Sequence, residues 1–315
     1  MSLKDALLAL LALLALCVVV LWGVNFVVIK VGLNDMPPFL LAGLRFSLVA
    51  LPGIFFVPFP RIPLKWLLAY GMTISFGQFG FLFLAIKLGM PAGIASLVLQ
   101  AQAFFTLLVG AVLLSEKLRW NHVVGILVAA LGMVVLAEGR TALQMSSGMT
   151  TPTLLLTLAA ALSWAVGNII NKVIMSQNSD VRIMSLVVWG ALVPVVPFFI
   201  SSWLFEGRDA IVHSLTTIQL PTILSLVYLA FAATIIGYGI WGSLLARYET
   251  WRVAPLSLLV PVVGLVSAAV CLGESLSLLQ IVGALLIMVG LLVNVFGARL
   301  RSWLLPSRCS TRLNG

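Results

Sequence analysis

From residue 6 to residue 296 the chain is a succession of long apolar runs, broken only by short clusters of charged, polar and Pro residues. A helix needs about 20 apolar residues to cross the hydrocarbon core of a bilayer. Ten runs approach or exceed that length, at 6–29, 38–57, 66–85, 92–114, 122–137, 153–174, 183–205, 222–245, 253–272 and 278–296. Together they take up most of the 315 residues and leave no room for a separate aqueous domain. Only 9% of the residues are charged, against about 25% in an ordinary soluble domain. The runs lack the polar and apolar alternation of a barrel wall, so the expected fold class is an all-α integral membrane protein with ten transmembrane helices. Lys4 and the apolar run up to Cys17 have the look of a secretory or lipoprotein signal, but the run continues to Ile29, longer than a signal core, and reads as an uncleaved first span.

Lys and Arg give the orientation, because positively charged loops stay cytoplasmic. Lys4, Arg61, Lys65, Lys117, Arg119, Lys172, Arg182, Arg247, Arg252, Arg299, Arg301, Arg308 and Arg312 fall on the side of the N-terminus. Only Lys30, Lys87, Arg140 and Arg208 fall opposite, with Arg45 inside the second span. Both termini are therefore expected in the cytoplasm, with residues 297–315 as a basic tail, and the net charge of +9 is an orientation signal and not a nucleic-acid footprint. Cys17, Cys271 and Cys309 are too scattered for a disulfide framework or a metal site.

The two halves resemble each other. Trp22 and Lys30 are eight residues apart with Asn25 between them, and Trp164 and Lys172 are eight apart with Asn168 between them. Further along, an offset of 158 lays LSEKL around Glu116 on LGESL around Glu274, Gly125 and Gly132 on Gly283 and Gly290, and AFFTLLVGAV from Ala103 on PVVGLVSAAV from Pro261. Five spans per half is an odd number, so the repeats 6–137 and 153–296 would enter the membrane from opposite sides. Inverted repeats of this kind build many secondary transporters, with the substrate site near the midplane between the halves. The seven-residue glycine spacing reads as close helix packing.

This ordered pattern, with a Trp-led first span and a Glu-containing turn after the fourth span of each half, resembles the EamA-type drug/metabolite transporter superfamily. Within it, WGVNFVVIKVGL from Trp22, MPP from Met36, LAGLRF from Leu41, MPAGIASLVLQAQAFFT from Met90 and YGIWGSLLARYETWRVAPLSLLVPVVGL from Tyr238 are most similar to bacterial exporters of O-acetylserine and cysteine. The likeness spans about residues 22–297; an extra Leu-Ala tract at 7–16 and the tail containing Cys309 depart from it. The resemblance implies export of O-acetylserine, cysteine and related small amino-acid metabolites across the bacterial inner membrane, with the lipid bilayer as surroundings and no cofactor. Charge and periodicity alone support only a small-molecule carrier.

Polar groups in hydrocarbon are expensive and mark candidate sites. Arg45 either pairs with a substrate carboxylate, which a guanidinium matches in bidentate fashion, or is a snorkelling structural cation. Gln78, Gln100 and Gln102 supply amides, as do Asn25 and Asn168, one in each half; interhelical hydrogen bonding is the alternative for all five. Gln100 and Gln102, two residues apart on a helix, are expected to place at most one side chain squarely in a cavity. Trp164, Tyr238 and Trp241 are candidate lining aromatics; Trp22, Trp189 and Tyr228 are weaker ones, and Trp66, Trp120, Trp203, Trp251 and Trp303 read as interfacial anchors. Gly237 and Gly239, flanking Tyr238, serve either flexing or packing.

Pro194, Pro197, Pro255 and Pro261 interrupt helix hydrogen bonding, Pro255 and Pro261 being the gating candidates. Glu116 and Glu274 either support the following helix or take part in coupling. All nine acids lie at loops or span ends, so proton coupling would fall to one of these Glu, to Lys30 or Lys172, or to the substrate amine; facilitated diffusion is equally open. An enzyme is disfavoured, since His122 and His213 are the only histidines and no Walker loop or metal-ligand cluster appears. A receptor would leave the duplication without a purpose, whereas a carrier of drugs or nucleotide sugars stays within the architecture. Oligomeric state leaves no mark on the sequence.

Overall fold

The computed structural model describes residues 3–139, 149–178, 180–247 and 253–304, and every regular element among them is helical. In chain order these are α1 (Leu3–Asp35), α2 (Pro38–Gly53), α3 (Leu64–Lys87), α4 (Ala92–Leu113), α5 (Trp120–Glu138), α6 (Thr151–Gln177), α7 (Ile183–Glu206), α8 (Arg208–Thr216), α9 (Leu220–Leu244), α10 (Leu256–Leu272) and α11 (Leu278–Leu304). Eight are long and apolar enough to cross a membrane, while α2 and α10 are shorter apolar helices. These two correspond to the expected second and ninth spans. Pro52 lies at the end of α2, and a 3-10 stretch, Ala254–Leu259, containing Pro255 overlaps the start of α10, which is regular α-helix from Val260.

The first span also shifts. The helix α1 runs on to Asp35, past the expected end at Ile29, so Lys30 lies inside it, where it pairs with Glu274. The helix α8 was not foreseen; it begins after Gly207, whose φ of +81° is open to glycine without steric cost. Residues 305–315, including Cys309, lie outside the described residues.

Several spans are interrupted. Wider π turns occupy Gly71–Gly77 in α3, Ser202–Glu206 in α7 and Tyr228–Ile236 in α9. The helix α4 turns at Leu99 and Gln100, and α7 breaks at Val193 and Pro194. Such interruptions free backbone groups and re-aim side chains. Pro38 opens α2 at a position where its missing N–H is no loss. The Glu206 carboxylate then accepts the N–H groups of Phe39 at 2.6 Å and Leu40 at 3.2 Å, which have no partner within the helix.

The glycine spacing is a packing device, as expected. Along α5 and α11 the backbones touch: a Cβ at Gly125 would fall 2.7 Å from the Gly290 carbonyl, and one at Gly283 would fall 2.8 Å from the Gly132 carbonyl. Asn121 Nδ2 adds a hydrogen bond of 2.8 Å to the Asn294 carbonyl. Elsewhere the outward faces carry exposed Phe55, Phe56, Val112, Val270 and Leu278, whereas Phe83, Phe198, Leu82, Met36 and Met90 fill the interior. Exposed apolar side chains of this size suit hydrocarbon surroundings.

Candidate functional site: a central cavity

A cavity of about 350 Å³ lies among α1, α2, α3, α4, α6, α7, α9 and the start of α10. Asn25, Arg45, Gln78, Gln100, Gln102, Trp164, Asn168, Tyr238 and Trp241 all line it. The expectation for the glutamine pair needs correction, since Gln100 and Gln102 both face the cavity. The chain turns at Leu99 and Gln100, and the angular spacing of a continuous helix does not hold there.

Arg45 is 2% exposed and does not snorkel. Its Nη2 donates to Thr234 Oγ1 at 3.0 Å, and its Cζ stands 4.1 Å from the centre of the Phe79 ring, with Phe46 and Phe83 farther out. The aromatic faces attract the cation. Thr234 donates its own proton to the Leu229 carbonyl, five residues back, at 2.8 Å, a reach supplied by the π turn of α9. Its oxygen is thereby left to accept from Arg45. Nε and Nη1 of Arg45 are buried with no hydrogen-bond partner. An unpaired desolvated donor costs about 1–3 kcal/mol, more when charged.

The amides divide into two groups. Asn168 Nδ2 donates to Gln102 Oε1 at 2.9 Å and to Thr106 Oγ1 at 3.4 Å, tying α6 to α4. Asn25 Oδ1 and Gln78 Oε1 are buried and accept from no group. On the aromatic side, Trp22 Nε1 donates to the Ala233 carbonyl at 2.9 Å, and its ring lies 5.2 Å from Tyr238 and 5.4 Å from Trp241. A Cβ at Gly237 would come within 2.6 Å of Trp22 Nε1, so this glycine permits close packing. Trp189 and Tyr228 lie away from the lining; they donate to the Val57 and Leu21 carbonyls and join helices.

The lining reaches Asn171, Ile183 and Gly242 at one end of the bundle. Toward the other end it stops at Leu82 and Ser96, beyond which Ile29, Leu33, Met36, Ile86, Met90 and Ala92 are packed shut. Lys30 and Glu274 pair at the closed end at 2.7 Å, and Lys172 and Glu116 pair at the other. Pro261 is buried, with its carbonyl accepting from Ser96 Oγ at 3.5 Å, while Pro255 sits in the 3-10 stretch at the start of the ninth span. Sequence reasoning missed Tyr70, Phe79, Ser96 and Asn171 in the lining and Thr234 beside Arg45. Asn171, an amide inside an apolar run, carried the clearest signal that could have found it, with Ser96 and Thr234 as weaker polar interruptions.

A polytopic helical bundle closed around one desolvated cation and a set of neutral amides has the build of a membrane carrier. The sequence profile of the EamA-like transporter family matches residues 9–137 and 151–296, so the chain belongs to that family: it is a multi-pass membrane transporter and not an enzyme. Among its relatives is a protein of Salmonella typhimurium described as "probable amino-acid metabolite efflux pump", 63% identical over 301 residues, covering 96% of this chain and 98% of the relative. An Escherichia coli protein of the same description is 60% identical over 303 residues with the same coverage. A "probable terminal-alkyne amino-acid exporter" of Streptantibioticus cattleyicolor is 28% identical over 225 residues, covering 71% of this chain and 68% of the relative. One solved crystal structure, 23% identical, aligns over 92% of this chain and 98% of its own with a TM-score of 0.62, a likeness of fold.

Proposed function

We propose that this chain exports small amino-acid metabolites, O-acetylserine and cysteine among them, across the bacterial inner membrane by alternating access. The observation that carries the proposal is Arg45, a buried lining residue whose Nε and Nη1 have no hydrogen-bond partner, and the one Lys or Arg among the described lining residues. A guanidinium with unspent donors suits a carboxylate. Phosphorylated substrates such as nucleotide sugars carry more negative charge than one cation balances. The high identity to two amino-acid metabolite efflux pumps over nearly the full length supports the same substrate class.

In this reading the ten spans, α2 and α10 included, form two inverted five-helix repeats with both termini cytoplasmic. Asn25, Gln78, Gln100, Gln102, Trp164, Asn168, Tyr238 and Trp241 surround the substrate. Lys30 with Glu274 and Lys172 with Glu116 close the two ends in turn, while the Pro255 and Pro261 segment takes up the bending. Efflux of cysteine and O-acetylserine from cells overproducing the protein tests this. The expected result is faster efflux and resistance to inhibitory levels of these metabolites, both lost in Arg45→Met. Efflux that stops on adding a protonophore identifies proton coupling, and efflux that persists identifies facilitated diffusion. No change in efflux of any amino acid, with the protein present in the membrane, would sink the proposal.

A further inference from the structure

The cavity wall leaves unmet hydrogen-bonding capacity of two opposite kinds. On the donor side are Arg45 Nε and Nη1; on the acceptor side are Asn25 Oδ1 and Gln78 Oε1. All three side chains are more than nine-tenths buried, at 2% exposure for Arg45, 3% for Gln78 and 8% for Asn25, and all three line the same cavity. Buried polar groups are nearly always satisfied in folded proteins, and each exception asks for an explanation. Interhelical bonding, which explains Asn168 and Gln102, does not explain these oxygens.

A ligand that satisfies both sets must carry an anionic acceptor and a strong donor on one small framework. We infer that Asn25 and Gln78 form an ammonium subsite, so that the carrier recognises the zwitterion of an α-amino acid and discriminates against molecules bearing only one of its two charges. The inference rests on the export reading above and adds to it the groups that read the amine. No Asp or Glu lines the cavity among the described residues, so neutral amide oxygens hold the ammonium. Trp22 reinforces them: it stands three residues before Asn25, on the same side of α1, and with Tyr238 and Trp241 gives the cation aromatic faces. Neutral acceptors also explain how the site releases its cargo, because a fixed carboxylate beside Arg45 would fill the cavity with an internal ion pair.

The test uses the full chain reconstituted in liposomes and counterflow of labelled L-cysteine under reducing conditions, with 3-mercaptopropionate, which lacks the amine, and cysteamine, which lacks the carboxylate, as competitors. In the wild type both competitors are expected to be at least about tenfold weaker than unlabelled cysteine, the effect of one lost hydrogen bond to a charged group. Asn25→Leu and Gln78→Met are each expected to raise the half-saturating cysteine concentration at least about tenfold, with competition by 3-mercaptopropionate unchanged. Asn25→Asp puts a charge in the subsite and is expected to strengthen cysteamine as a competitor; it decides the matter where Asn25→Leu fails to yield a monodisperse protein. Equal weakening of cysteine and 3-mercaptopropionate, or no weakening of either, overturns the subsite while leaving the exporter intact. A wild type that moves no amino acid at all overturns the exporter reading and the subsite with it.

Discussion

The two Glu turns carry the same sequence device in two different settings. Ser115 and Glu116 follow α4, and Gly273 and Glu274 follow α10, at positions 158 apart. Both leading residues adopt left-handed backbone, with φ of +54° at Ser115 and +66° at Gly273, and each Glu reaches a Lys of the other half. There the likeness ends. Glu274 is 14% exposed and Lys30 34%; besides the lysine, its oxygens accept the N–H groups of Ala92 at 2.8 Å and Gly93 at 3.0 Å, clamping the start of α4. Lys87 adds a hydrogen bond to the Leu33 carbonyl at the same end. Glu116 is 38% exposed and Lys172 60%, and the two form an ion pair more open to its surroundings. The clamped turn sits at the packed end of the cavity and the looser one at the end the lining reaches. Under the proposed inverted repeat, the structure therefore displays a latch clamped onto a helix start at one end and a more exposed ion pair at the other.

That contrast can be broken most strongly at Glu274. Glu274→Gln keeps the shape but removes the charge from three hydrogen bonds and leaves Lys30 half-buried without a carboxylate. Charge-assisted hydrogen bonds contribute about 1.5–3 kcal/mol each, so thermal unfolding in detergent is expected to lose stability of that order. Reversing both members of each pair is the next largest effect. Lys30→Glu with Glu274→Lys restores an ion pair but offers no acceptor to Ala92 and Gly93, so it stays destabilised by about 1.5 kcal/mol or more. Lys172→Glu with Glu116→Lys re-forms an exposed ion pair and is expected to unfold close to the wild type.

Glu116→Gln alone is expected to cost under about 1 kcal/mol, as for exposed ion pairs. The smallest effect falls at Ser115. A non-glycine residue in left-handed backbone costs about 1–2 kcal/mol, and Ser115→Gly recovers part of it against the greater unfolded-state freedom of glycine. A gain under about 1 kcal/mol in the same melt is expected; a loss would show that the Ser115 side chain itself holds the turn.

Much of this was legible in the sequence because a bilayer imposes a length and an apolar composition on every span. The repeated Trp, Asn and Lys pattern and the Glu turns stood out for the same reason: polar residues are rare in such runs. What stayed hidden depends on tertiary contact. Lys30 and Glu274 are 244 residues apart, and nothing local to either points to the other. The faces of α3 and α9 could not be assigned, because lipid-facing and interior sides are both apolar and the π turns at Gly71–Gly77 and Tyr228–Ile236 shift the register. Thr234 reaches Arg45 only through that shift. The same loss of helical phase, at Leu99 and Gln100, turned both Gln100 and Gln102 inward.

The alternation of the two latches is most directly tested by distances across the two ends of the cavity. With Cys17, Cys271 and Cys309 replaced by Ser, spin labels are placed at Leu64 and Ser243 near the Lys172 end and, in a second protein, at Leu88 and Leu220 near the Lys30 end, all solvent-facing or lipid-facing sites on α3 or α9 and its flank. Adding saturating O-acetylserine to reconstituted protein is predicted to shift the two distance distributions in opposite directions, one end narrowing as the other widens. Both ends widening together, or neither moving while transport proceeds, would contradict alternating access through this cavity.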